Sequence, residues 1–145
     1  MSEQDIEGYM TEDHWEVNEQ IKSLFSGDDK LQSKLRDEIF PRLRRHIFIE
    51  EIALFPTLPE SAKEEVEYLE KEHGMILATV NQAMNSKNYK IRKEKLLDLY
   101  DLLVEHNSYE ESFIYGHFHG KDASTIRSIG FPSREWKSLY ERTFP

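Results

Sequence analysis

Six residues of this chain have the types and spacing to hold metal together: His14, His46, Glu50, His73, His106 and Glu110. His46 and Glu50 stand four apart, as do His106 and Glu110. On a helix that spacing puts imidazole and carboxylate on one face, about 6 Å apart along the axis. A metal ion is a natural occupant of the point on which they converge. One such pair says little, because six His and twenty Glu in 145 residues supply about one by chance.

The weight comes from a repeat. His14 precedes His46 by 32 residues, and His73 precedes His106 by 33. Asp13-His14 is echoed by Glu72-His73. His46-Ile47-Phe48-Ile49-Glu50-Glu51 is echoed by His106-Asn107-Ser108-Tyr109-Glu110-Glu111, and Leu54-Phe55 by Ile114-Tyr115. Each half offers a lone His on its first helix and a His-x-x-x-Glu pair on its second. An approximate two-fold in sequence implies one in space, bringing four imidazoles and two carboxylates onto its axis. Six ligands exceed what a tetrahedral zinc site uses. They suit two ions with the carboxylates between them. Imidazole and carboxylate without thiolate favour iron or manganese, with zinc and copper left open on affinity.

These residues need helices to position them. Glycine and proline cluster at Gly27, Pro41, Pro56 with Pro59, Gly74, and from Gly116 onward. Between them apolar residues recur at three and four, the helical period. A first helix is expected from about Thr11 as N-cap, with the stripe Met10, His14, Val17, Ile21, Leu24. A second is expected from Lys30 to Ala53, with Leu35, Ile39, Leu43, His46, Glu50, Leu54; Pro41 kinks it or opens a fresh helix. The third follows Pro59, capped near Glu60 or Ser61, with Val66, Leu69, His73, Ile76, Val80. The fourth runs from Tyr89 to Tyr115, with Leu96, Leu99, Leu103, His106, Glu110, Phe113. Four long helices on short connections give an all-α, antiparallel up-down-up-down four-helix bundle. The bundle is expected over 1–120. Residues 121–145 form an extension packed on it, a loop and a short helix around 134–142 held by Trp136 and Tyr140. Every stripe contains ionisable residues, and burying an unpaired charge costs several kcal/mol, so a cation is the economical explanation.

Composition narrows the partners. With 28 acidic against 19 basic residues the net charge is −9, which disfavours nucleic acid and anionic membrane. No apolar run approaches 18 residues, and the acidic N-terminus lacks a signal-peptide layout. Cysteine is absent, which excludes disulfides and zinc–thiolate sites and fits a cytoplasmic protein.

On these motifs, over roughly Thr11 to Tyr115, the chain resembles the hemerythrin-like, or HHE cation-binding, domains. The resemblance implies a hemerythrin-like bundle holding two non-haem iron ions, oxo- or hydroxo-bridged, ahead of manganese or zinc. It implies a protein that binds, senses or reacts with dioxygen or peroxide, with room for a redox partner. Two departures separate it from the oxygen carriers of that family. They have a His one turn after the third-helix His, where this chain has Leu77. They also have an aspartate five residues after the fourth-helix His, where it has Glu110 at four. Four His and two Glu in similar halves argue against simple reversible carriage, and Leu77 is expected to leave an exchangeable position. Non-enzymatic iron storage or sensing is the main rival, and a metal-free helical interaction domain the third.

The neighbours have plainer expectations. Glu51 and Glu111 turn about 100° from the ligands, as solvated or supporting carboxylates. Asp13 and Glu72 are placed to orient an imidazole through its second nitrogen. Glu70, three before His73, is a reserve ligand. His117 and His119 read as solvated imidazoles at a frayed helix end. Tyr9, Trp15, Phe48, Tyr109 and Phe113 read as core packing.

Overall fold

The computed structural model describes residues 4–26 and 30–143. Gly27, expected to break the first two helices apart, lies outside them. Four long helices make the bundle. α1 is Ile6–Ser23, beginning five residues before the expected start. Asp5 is its N-cap: the backbone there is extended, and Oδ1 accepts the Gly8 N–H at 2.7 Å. Thr11 is an ordinary helical residue, since nothing between Ile6 and Thr11 stops the helix.

α2 is continuous over 31–54, so Pro41 does not divide it. It consists of Leu31–Lys34, a π-helical turn Leu35–Ile39, Phe40–Ile49 and a second π-helical turn Glu50–Leu54. Each π turn lies just ahead of a proline, Pro41 or Pro56. Proline lacks an N–H and crowds the preceding turn. The wider turn, closed by Phe40 N–H on Leu35 O and by Phe55 N–H on Glu50 O, accommodates it.

α3 is Lys63–Asn85, entered through the 3₁₀ turn Glu60–Ala62. α4 is Tyr89–Phe113, capped by the Asn88 side chain on Ile91 N–H and followed by the 3₁₀ turn Tyr115–Phe118. No strand forms among the described residues; an isolated bridge pairs Asp5 with Asp122.

The stripes are buried as expected along α1 and α2, and along α3 except for half-buried Val66. On α4 the stripe ends at Glu110. Phe113 is 59% exposed, because α4 stops there and the chain turns Ile114 and Tyr115 inward instead. Trp15, 64% exposed, is likewise not core.

Two apolar clusters result. The larger holds Val17, Leu43, Ile47, Ile76 and Leu103; the smaller holds Met10, Ile49, Leu69, Ile114 and Tyr115. On α1, α3 and α4 a histidine falls between the two, and on α2 His46 and Glu50 bracket the change from Ile47 of the larger to Ile49 of the smaller, so the polar residues form one layer across the bundle.

The tail differs from expectation. Its helical turn, α5, is Ser124–Arg127, and 134–142 forms turns rather than a helix. Glu141 N–H and Thr143 N–H reach back only three residues, to Ser138 O and Tyr140 O. The segment is committed elsewhere. Arg44 donates to the Ser133 and Trp136 carbonyls, and Ser138 Oγ and Leu139 N–H both donate to Glu51. Trp136 packs edge-on against Phe48 and Tyr140 lies over Lys71 Nζ.

Candidate metal centre

All six expected site residues meet in the polar layer, and none is more than 5% exposed. They fall into two overlapping sets of four, His14, His46, Glu50 and Glu110, and Glu50, His73, His106 and Glu110. Within each set one donor atom per residue lies within 4.8 Å of the others. Glu50 and Glu110 belong to both. His14 Nε2 is 3.0 Å from Glu110 Oε1, and His73 Nε2 is 3.0 Å from Glu50 Oε1. His106 Nε2 is 3.3 Å from Glu110 Oε1, and His46 Nε2 is 3.7 Å from Glu50 Oε2. Glu70 belongs to neither set.

Four further carboxylates fix the rings. Each Nδ1 has one: Glu111 for His14 at 2.8 Å, Asp13 for His46 at 2.6 Å, Glu51 for His73 at 2.7 Å and Glu72 for His106 at 2.8 Å. A carboxylate accepts only, so Nδ1 must donate, and every Nε2 is left facing inward. Glu51 and Glu111, one residue past Glu50 and Glu110, thereby act on the centre through the imidazoles. Asp13 is itself held by Arg42, whose Nε is 3.0 Å from Oδ1. Burial opposes its charge, but His46 and Arg42 outweigh burial and keep it at about 2.

The inner layer consists of groups that need a cation. Glu110 Oε2 makes no hydrogen bond among the described residues, its nearest ion-pair partner being His73 Nε2 at 3.9 Å. A buried carboxylate oxygen without a partner is costly. Burial and the Glu110 charge both push Glu50 upward. Burial also opposes ionisation of Glu110, but His106 and the other groups around it hold it well below the usual carboxylate range. Burial lowers His14, yet its bonds to Glu110 and Glu111 prevail and raise it to about 9. His73 is raised well above its ordinary value in the same way. Protons and metal thus compete for the same nitrogens. Two divalent cations would neutralise the carboxylates, use the inward lone pairs and occupy the orphaned oxygen, so the donor set fits a metal pair.

The hemerythrin HHE cation-binding domain matches residues 5–118. The chain belongs to this family. No individual curated protein and no solved structure matches it significantly. In this HHE domain the buried His/Glu layer groups residues that could hold a metal ion, and no helix among the described residues is long and apolar enough to cross a membrane.

Sequence reasoning missed two residues. Tyr115, only 1% exposed, puts its hydroxyl 2.8 Å from Glu50 Oε2 and from His14 Nε2. The signal was its place opposite Phe55 in the repeat, where one half carries a hydroxyl and the other does not. Asn107 is buried beside His106, and its amide approaches Asn18 Oδ1 at 3.5 Å. It joins His14, His46 and His106 in lining a cavity of about 10 Å³, walled by Val17, Leu43, Ile47, Ile76 and Leu103. On α3, Ile76 borders this cavity, while Leu77 packs in the larger apolar cluster. His119 is exposed, but its Nδ1 pairs with Glu7 at 2.9 Å, tying the end of α4 to the start of α1.

Proposed function

We propose that this HHE domain is a non-haem di-iron protein that binds, senses or reacts with dioxygen or peroxide. His14, His46, His73 and His106 are its terminal ligands, and Glu50 and Glu110 are shared between the two ions. The observation that supports this most is the pair of overlapping four-residue sets sharing two buried carboxylates. Carboxylate-bridged metal pairs inside four-helix bundles are an established class. Iron bound there would supply the redox change and a position for a small oxygen ligand.

The protein's own part is to orient, insulate and select. The four outer carboxylates aim the Nε2 atoms. The apolar clusters on either side exclude bulk water. The cavity has room for about one water-sized group, which favours dioxygen or peroxide over an organic substrate. Asn107 offers that group an amide N–H. Residues 1–120 carry the centre, 121–145 brace it, and a cytoplasmic location accords with the absence of cysteine.

Iron sensing without turnover is the second reading. It is favoured by the full burial of Glu50 and Glu110, which makes folding depend on metal loading. Elemental analysis and an absorption spectrum of aerobically purified protein test the first step, with two irons per chain expected. Stopped-flow mixing of the reduced protein with oxygen, and of the oxidised protein with peroxide, separates reaction from sensing. One iron or none per chain would overturn the di-iron reading.

A further inference from the structure

The two halves of the centre differ by one oxygen atom. Phe55 stands five residues after Glu50, and Tyr115 five after Glu110. Each ring stacks on an imidazole: Phe55 on His73, with centroids 5.8 Å apart and planes at 6°, and Tyr115 on His14, at 5.1 Å and 25°. The pseudo-two-fold therefore relates the aromatic rings as well as the histidines and glutamates. Only Tyr115 carries a hydroxyl.

That hydroxyl touches all four members of one set and meets the other through the two carboxylates they share. It is 2.8 Å from His14 Nε2, 3.1 Å from His46 Nε2, 2.8 Å from Glu50 Oε2 and 3.2 Å from Glu110 Oε1. A phenol donates one hydrogen bond, so it cannot satisfy the Glu50 and Glu110 oxygens at once. These separations are those of neighbouring donors around one ion, since metal–ligand bonds of about 2.0–2.2 Å put adjacent donors roughly 3 Å apart.

We propose that Tyr115 is a seventh protein ligand, giving its phenolate oxygen to the metal position of His14 and His46 alone. That position then has two imidazole nitrogens, two carboxylate oxygens and a phenolate. The position of His73 and His106 has no such fifth donor, because Phe55, the counterpart of Tyr115, carries no atom that can ligate. On metal binding the Tyr115 O–H bond breaks, its electron pair goes to the cation, and the proton leaves to solvent. A dication reverses the field that the two carboxylates set up around the phenol. The two positions are thereby inequivalent: one is closed by the chain, the other keeps an exchangeable place.

This rests on the di-iron reading, and its test has a readout of its own. Phenolate bound to ferric iron gives a visible charge-transfer absorption, with tyrosine ring modes enhanced in resonance Raman. Wild-type protein with two ferric ions should show both, and the Raman modes should shift when the protein is made with ring-deuterated tyrosine. Tyr115→Phe should lose the band entirely while keeping two irons per chain by elemental analysis. The labelled wild type needs no variant to fold. Two irons without tyrosinate modes, or a band that survives in Tyr115→Phe, would overturn the ligand assignment and leave the di-iron reading standing. Absence of iron from the wild type would overturn both.

Discussion

Asp13 adjoins His14 in the chain but holds His46, its Oδ2 2.6 Å from that ring's Nδ1. Glu72 likewise adjoins His73 and holds His106. Each imidazole is therefore oriented from a helix other than its own, and the geometry of the centre depends on how the helices are packed together.

Removing such an outer carboxylate should weaken metal binding without deleting a ligand. Asp13→Ala frees the His46 ring to rotate and leaves Arg42 with one anionic partner fewer. Loss of an outer partner of this kind lowers metal affinity by about 10–100-fold. Competition with a chelator of known affinity measures it, and an unchanged competition curve would show that Asp13 has no hold on the site.

Deleting the ligands themselves should cost metal and stability together. His46→Ala or His106→Ala removes an inward nitrogen and leaves Glu50 or Glu110 less well compensated. Metal content should fall below that of the wild type and the melting temperature should fall with it. Full stoichiometry in both variants would exclude these two histidines as ligands.

The cavity beside His46 and His106 should control the access of small ligands. Val17→Ile adds one methylene to a wall of a space of about 10 Å³. Overpacking of this sort costs about 1–3 kcal/mol. Iron content should persist while the stopped-flow rate with oxygen or peroxide falls. An unaltered rate would mean that ligands arrive by another route.

Arg45 should decide whether the tail stays on the bundle. It donates to the Ile129 and Ile126 carbonyls and to Tyr9 Oη. Hydrogen bonds from a charged donor contribute about 1.5–3 kcal/mol, so Arg45→Met should destabilise by that order in chemical denaturation. Amide exchange over 124–130 should quicken. Protection equal to wild type would show that Glu51 and Arg44 suffice to hold the tail.

The clip between the end of α4 and the start of α1 should depend on pH in both directions. Glu7 raises His119 above its ordinary 6.5, assisted by Asp5. That contribution is complete below 6.5 and is lost as pH rises through the higher folded value. Asp5 is lowered below 3.8 by the Gly120 and Gly8 N–H groups, so its contribution is complete above 3.8 and is lost on acidification. Protection of the Gly120 amide should therefore peak between the two. In an NMR titration Glu7→Gln should bring His119 back towards 6.5; no change would rule the pairing out.

Much of this molecule is legible in one dimension. A helix repeats every 3.6 residues, so apolar spacing alone assigns Val17, Ile21, Leu43 and Leu103 to the interior. The same spacing, with the 32- and 33-residue repeat, assigns His14, His46, Glu50, His73, His106 and Glu110 to one layer. What periodicity cannot supply is the relation between helices. The pairing of Asp13 with His46 follows from the height at which α1 packs on α2, which side-chain interlocking sets. The inward turn of Tyr115 in place of Phe113 follows from where α4 ends, and the lost helix at 134–142 from contacts with Arg44 and Glu51 some ninety residues away. The sequence therefore carries the face on which each residue lies, because backbone geometry is local. Which neighbour that residue meets is a property of the packed bundle, because helix register is settled by contacts between segments remote in the chain.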